Sequence, residues 1–179
     1  MSMRKWLAAI ALTLAFAGGA ALAENTGLGK PISEADVKQW DIAILPDGTN
    51  LPPGSGTASE GAKIYEAKCL ACHAEGGKGG VVAGAGPLVG GQPLTNGIDT
   101  PKTIANYYAY ATTIFDYVRR AMPFNAPRSL TDQEVYALTA YILALNKLIG
   151  ENDVMDAKTL PQVKMPNRDN FILPYPDRI

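Results

Sequence analysis

The sequence predicts an all-α fold, in which a small helical domain with long loops carries an extension at each end. Several segments begin with helix-capping residues or repeat apolar residues at helical spacing. No segment shows the strict alternation of apolar and polar residues that marks a half-buried strand. The 18 glycines and 13 prolines among 179 residues indicate long irregular connections, and glycine is densest in residues 76–91.

Charge and composition exclude several classes of site. The chain has 16 Lys and Arg residues against 17 Asp and Glu, so it lacks the basic excess that a broad nucleic-acid-binding surface needs. A single histidine excludes a site built from several imidazoles, and two cysteines are too few for a four-thiolate zinc or iron–sulfur site. With 47% hydrophobic and 18% charged residues, the composition is typical of a globular protein.

Residues 1–23 have the three-part pattern of a secretory signal peptide. Arg4 and Lys5 form a positive segment, an uncharged apolar segment follows, and Ala21-Leu22-Ala23 is a small-residue cleavage site. An uncleaved membrane anchor is the alternative, although the apolar segment is at the lower length limit for a span. We expect cleavage after Ala23 and export to the periplasm. No second long apolar run exists, so we expect no membrane span in the mature chain.

Residues 24–56 are predicted to form an N-terminal extension that wraps the main domain. Ser33 and Asp36 have capping-box spacing ahead of a short helix through Trp40. The remainder of residues 24–56 is rich in proline and glycine and is predicted to be extended chain. Its apolar side chains, Trp40 and Ile44 among them, are expected to pack on the main domain.

Residues 57–149 are predicted to form the helical domain. A first helix covers residues 57–68, with Ser59 as its cap; a second begins near residues 101–103; and a third ends at Ala121, ahead of Met122-Pro123.

A final helix is the most clearly marked. Thr131 and Glu134 form a capping box, and apolar residues then recur at helical spacing to about Leu148, with Gly150 ending the helix. Residues 150–179 are predicted to be a second wrapping extension.

One short segment predicts a cofactor site. It is Cys69-Leu70-Ala71-Cys72-His73, and Cys-x-x-Cys-His is the attachment sequence of a c-type haem. Two thiols at this spacing near a helix end can reach both vinyl groups of one haem and form thioethers. The next residue, His73, is then held below the iron as its proximal ligand. The sequence therefore predicts one haem c, attached through Cys69 and Cys72.

Other uses of two nearby cysteines fit less well. A thioredoxin-like pair expects a strand before it and a helix after it, whereas a helix precedes this motif. A structural zinc site lacks further ligands. A disulfide would be natural for an exported chain, but it does not explain the adjacent histidine.

The sixth position of the iron needs a different side chain, because no second histidine exists. Methionine is a common sixth ligand in cytochromes c. Met122 is the candidate that we favour, since it lies in a loop just before the capped final helix. Met155 and Met165 are the other methionines of the mature chain, and an open or differently filled sixth site is the alternative.

The order of these features resembles class I cytochrome c over residues 57–149. The resemblance implies that Gly61 and Tyr65 of the first helix cross the final helix near Tyr141. It also implies that the carbonyl of Pro87, in a Gly-Pro-x segment, accepts a hydrogen bond from His73 Nδ1. Arg119 or Arg120 would then be placed to pair with a haem propionate, with a solvated positive face as the alternative.

The two extensions are similar to those of monohaem cytochromes that serve molybdenum sulfite dehydrogenases, and to the cytochrome part of sulfane dehydrogenase. The similarity is carried by Gly29-Lys30-Pro31, by the segment from Phe115 to Phe124, and by the segment from Asp156 to Arg168. It implies a periplasmic electron-transfer protein, not an enzyme, that accepts single electrons from such a dehydrogenase or a related oxidoreductase. A downstream cytochrome or oxidase would accept them. The alternatives are a general carrier for another periplasmic dehydrogenase and a haem enzyme with a labile sixth site.

Overall fold

The computed structural model describes residues 29–94 and 99–171, so the predicted signal peptide lies outside the described residues. The chain divides into two compact units, Met1–Asp41 and Ile42–Ile179. In the first unit, helix α1 spans Glu34–Trp40, and the predicted capping box is present. The Ser33 hydroxyl accepts the amide of Asp36, whose carboxylate accepts the amide of Ser33. The expected packing of Trp40 on the main domain stays a prediction.

Helices α2 to α6 build the second unit around a long central helix. Their bounds are α2 Ala58–Lys68, α3 Leu70–His73, α4 Ile104–Tyr107, α5 Ala111–Ala121 and α6 Asp132–Leu145. Helix α6 packs against α2 and α5, and most of its side chains are buried. Ile44, which the sequence predicts to pack, is buried in this core, and its amide donates to the carboxylate of Asp116.

Capping boxes start three of these helices within the described residues. The predicted one at Thr131 and Glu134 is confirmed. Helix α2 is capped by Thr57 instead of Ser59, because the carboxylate of Glu60, three residues later, accepts the amide of Thr57 at 2.8 Å. Thr103 and Asn106 do the same for α4.

Helix α6 ends earlier than predicted, at Leu145. The amide of Lys147 donates to the carbonyl of Ala144, and the amide of Leu148 donates to that of Leu143. Lys147 has φ of 58°, so this is a Schellman ending made without glycine. Gly150 therefore follows the helix end without forming it.

A short sheet means that the all-α expectation is not confirmed. Strand β1, Ser55–Thr57, pairs antiparallel with β2, Val154–Asp156, and Gly56 lies opposite Met155. A Cβ at Gly56 would come 2.4 Å from the backbone nitrogen of Ala137, so only glycine lets this strand lie on α6. Three-residue strands are too short to produce a readable alternation.

Strand β2 and the segment after it belong to the core. Met155, Leu160, Val163 and Met165 are all buried there. Asn167 anchors the segment by donating to the carbonyl of Tyr107 at 2.7 Å. Over the described ranges, no helix has both the length and the apolar character needed to cross a bilayer.

Candidate functional site

Helix α3 is a single turn that brings the two cysteines and the histidine together. Cys69 ends α2 and begins α3, and its carbonyl accepts the amides of Cys72 and His73 at 3.1 and 3.0 Å. Residues three apart on one helical turn share a face, so the thiols of Cys69 and Cys72 are neighbours. Both are free thiols, with Cys69 half-buried and Cys72 exposed.

The protonation states of these groups follow from their burial. Burial raises the pKa of the Cys69 thiol to about 11. In the polypeptide without haem, this cysteine is therefore a neutral thiol and not a reactive thiolate. Burial lowers the pKa of His73, and the nearby backbone of Gly86 opposes this shift more weakly. The imidazole is thereby held neutral, which is the form that binds a metal.

The glycine-rich loop folds back beneath His73. The carbonyl of His73 accepts the amide of Gly79 at 2.8 Å, and the carbonyl of Gly77 accepts the amide of Leu88 at 2.7 Å. A Cβ at Gly79 would come 2.5 Å from the nitrogen of Pro87, so glycine is what permits this close approach. The loop therefore lays the Pro87 segment against the end of α3.

His73 Nδ1 is buried and has no hydrogen-bond partner within the described residues. The hydrogen bond from Nδ1 to the carbonyl of Pro87 is not formed in this geometry, and it stays a prediction. A buried ring nitrogen normally finds an acceptor, and the Pro87 segment is packed against the adjoining loop.

Two asparagines that the sequence did not single out hold this loop. Asn146, just after α6, donates to the carbonyl of Leu88 at 3.1 Å and accepts the amide of Gly90 at 3.0 Å. Asn106 of α4 donates to the carbonyls of Gln92 and Pro101. Their positions at a helix end and in a capping box were the only sequence signals.

The three candidate methionines have different surroundings. Met155 and Met165 are 4% and 3% exposed and are enclosed by other core side chains. Met122 lies at the end of α5 in an extended conformation, is half-buried, and packs at the edge of the core, as Cys69 and Leu88 also do. Of the three, Met122 is the one whose side chain is not enclosed by the core.

Both arginines near Met122 are already engaged. Arg119 Nε lies 3.0 Å from a carboxylate oxygen of Asp132, and Arg120 pairs with Asp116 one turn earlier. Both ion pairs join side chains of this chain, and the contact of Arg119 or Arg120 with a haem propionate stays a prediction.

The donor set fits a haem of the c type. Two free thiols one helical turn apart suit thioether attachment, a neutral imidazole follows directly, and a half-buried thioether is available at the edge of the same core. Cys69 and Cys72 would hold the cofactor covalently, and His73 and Met122 would be the candidate ligands of its iron.

Comparison with known proteins agrees with this donor set. The model of the family described as Cytochrome C oxidase, cbb3-type, subunit III matches residues 56–142. The Photosystem II extrinsic protein V of Parasynechococcus marenigrum is 28% identical over 137 residues, 66% of this chain and 78% of that protein. The same protein of Microcystis aeruginosa is 27% identical over 127 residues, 64% of this chain and 92% of that protein.

A solved structure is similar over more of the chain. It is the crystal structure of the sulfane dehydrogenase SoxCD from Paracoccus pantotrophus, in which one chain matches with a TM-score of 0.72 and 34% identity. The match covers 86% of this chain and 73% of that chain.

Proposed function

Because the chain belongs to the monohaem c-type cytochromes, we propose that it accepts single electrons from a molybdenum sulfite dehydrogenase, or from a related periplasmic oxidoreductase, and passes them to a downstream cytochrome or oxidase. A protein of this family binds one haem c covalently and carries electrons without catalysing a reaction on a substrate. When bound, the haem supplies a one-electron Fe(III)/Fe(II) couple.

The observation that carries the partner proposal is the likeness to a chain of sulfane dehydrogenase SoxCD. At 86% of this chain, that likeness reaches well beyond residues 56–142, the range matched by the family model. A similarity that includes the flanking segments supports a dehydrogenase of sulfur compounds as the electron donor.

In this proposal, the thiols of Cys69 and Cys72 attach the haem and His73 is the proximal ligand. Met122 is the sixth ligand, which the enclosed positions of Met155 and Met165 support. The Pro87 carbonyl accepts a hydrogen bond from His73 Nδ1–H, which fixes the tautomer and the basicity of the imidazole.

With His73 and Met122 both bound to the iron, the haem would offer no coordination site to a substrate. The role of the chain is then to fix the ligands so that they move little when the charge on the iron changes. The alternative, a haem enzyme with a labile sixth site, predicts a high-spin resting spectrum of the oxidised protein.

We propose a periplasmic location, on the basis of the signal-peptide pattern of residues 1–23. Expression of the full chain followed by N-terminal sequencing of the periplasmic protein tests it. A mature protein that begins at Glu24 is expected. Recovery of the whole protein in the membrane fraction, with residues 1–23 retained, would contradict cleavage after Ala23.

Stopped-flow reduction tests the electron donor. The oxidised protein is mixed with a molybdenum sulfite dehydrogenase and sulfite, and the haem spectrum is followed. We expect reduction whose rate depends on the dehydrogenase concentration and which is absent when sulfite is omitted. No reduction by this pair, but rapid reduction by another sulfur-compound dehydrogenase with its substrate, would change the partner and leave the electron-carrier role intact.

A further inference from the structure

The residue directly after His73 has an unusual backbone conformation. Ala74 has φ of 60° and ψ of 171°. This region is populated almost only by glycine, because a Cβ is strained there. A strained non-glycine residue persists only when its surroundings hold it in place, so the contacts of Ala74 become informative.

Ala74 is also contacted by a residue from outside α3 and its loop, namely Tyr65 of α2. Its hydroxyl donates to the Ala74 carbonyl at 2.8 Å, and the Tyr65 side chain is 2% exposed. Burial raises the pKa of Tyr65 to about 12, so the hydroxyl stays protonated and able to donate. The amide of Gly77 donates to the same carbonyl at 3.3 Å.

The peptide group on the other side of Ala74 is also fixed. Its amide donates to the carbonyl of Leu70 at 2.9 Å, and the carbonyl of His73 accepts the amide of Gly79. The backbone that carries the imidazole is therefore held by hydrogen bonds on both sides. Among the described residues, the Tyr65 bond alone ties it to the packed face of α2, since the other partners belong to α3 and its own loop.

We propose that the hydrogen bond between Tyr65 and Ala74, the latch, positions the imidazole of His73. The latch keeps the Ala74 peptide in its strained conformation, ends α3 at His73, and so limits the orientations that the ring can take. Tyr65 is a positioning residue that acts through Ala74. The proposal rests on the assignment of His73 as the proximal ligand.

A double variant separates this role from simple packing. Tyr65→Phe removes only the hydroxyl, so the Ala74 carbonyl loses its donor from α2. Ala74→Gly makes the same φ and ψ acceptable without help. If the latch works by holding a strained residue, Ala74→Gly should rescue Tyr65→Phe. Tyr141→Phe is the matched control, because the Tyr141 ring lies 5.2 Å from that of Tyr65 but its hydroxyl is not part of the latch.

The main measurement is the NMR spectrum of the oxidised haem protein, in which the ring protons of the proximal histidine have hyperfine-shifted resonances that depend on ring orientation. The reduction potential is measured on the same samples. We expect both to shift in Tyr65→Phe, to return toward their original values in Tyr65→Phe/Ala74→Gly, and to stay unchanged in Tyr141→Phe. Identical spectra and potentials for Tyr65→Phe and the original chain would overturn the proposal.

Persistence of the full Tyr65→Phe shift in the double variant would also overturn it, because the hydroxyl would then act by another route. If Tyr65→Phe yields little folded protein, the yield and the urea midpoint of the double variant are measured in place of the NMR spectrum. Recovery of both is expected, and no recovery contradicts the latch. Failure of the ligand assignment is seen separately, because the oxidised unmodified protein would then lack the hyperfine-shifted ring resonances of a ligating histidine, whereas the rescue of folding does not depend on that assignment.

Discussion

Gly61 of α2 lies directly against Ala137 of α6, so that a Cβ added at Gly61 would come 2.0 Å from the Ala137 carbonyl oxygen. Because backbone occupies both sides of this contact, Gly61→Ala must push the helices apart. We expect a loss of at least about 1–3 kcal/mol in the free energy of unfolding. Urea unfolding of the haem protein measures it.

Gly150→Ala is the control for this substitution. A Cβ at Gly150 meets only the carboxylate of Asp153, at 3.3 Å and beyond. A small change in stability is expected there. Equal losses for the two variants would mean that the crossing of α2 and α6 is not limited by Gly61.

Met122 and Met165 should respond differently to replacement by alanine. Met122→Ala should abolish the far-red absorption band of a sulfur-ligated ferric haem, because the proposed ligand is removed. Met165→Ala should keep that band but lower stability by about 2–5 kcal/mol, since it leaves a cavity in the core. Loss of the band in Met165→Ala alone would reverse the ligand assignment.

Asn146→Ala should loosen the loop that runs beneath His73. Removing the amide leaves the carbonyl of Leu88 and the amide of Gly90 without their side-chain partner. We expect faster hydrogen exchange at the Gly90 amide and a loss of roughly 1–3 kcal/mol in stability. Asn152→Ala, an exposed asparagine beyond α6, serves as the control. Unchanged protection at Gly90 would show that Asn146 does not hold the loop.

Tyr136 should make stability fall at alkaline pH. Its ring is fully buried, its hydroxyl donates to the Pro52 carbonyl at 2.9 Å, and burial, with a smaller contribution from Asp156, raises its pKa from 10.0 to about 12. The unfolded chain ionises first as the pH rises. This stabilisation is therefore fully present below about pH 10 and is lost as the pH approaches about 12.

Urea midpoints across the alkaline range check this expectation. Tyr136→Phe should be less stable at neutral pH, because the Pro52 carbonyl loses its donor, but should lose less stability as the pH rises. Tyr117→Phe, at a half-exposed ring, is the control. A parallel alkaline decline in the Tyr136→Phe and original proteins would rule Tyr136 out as a source.

Local signals in the sequence predicted much of this structure. The helix start at Thr131 and the helix end at Ala121 depend on neighbouring residues, and the sequence predicts both correctly. The cap of α2 was misplaced by two residues, because Ser59 and Thr57 are both acceptable caps and only the partner Glu60 decides between them.

Features that depend on distant contacts were not predictable in the same way. The residues near Gly56 do not indicate that it pairs with Met155, and those near Asn146 do not indicate that its side chain donates to the carbonyl of Leu88. The sequence motif predicts which residues can bind a haem, while the backbone conformation of Ala74 is visible only in three dimensions.

The pairing of Gly56 with Met155 bears on when the chain can fold. Strand β1 can pair with β2, and Leu160 and Met165 can join the core, only after most of the intervening polypeptide has been made. Such a high contact order slows folding and postpones closure of the core during vectorial synthesis or translocation. Until residue 165 has emerged, the thiols of Cys69 and Cys72 therefore belong to a domain whose core is incomplete.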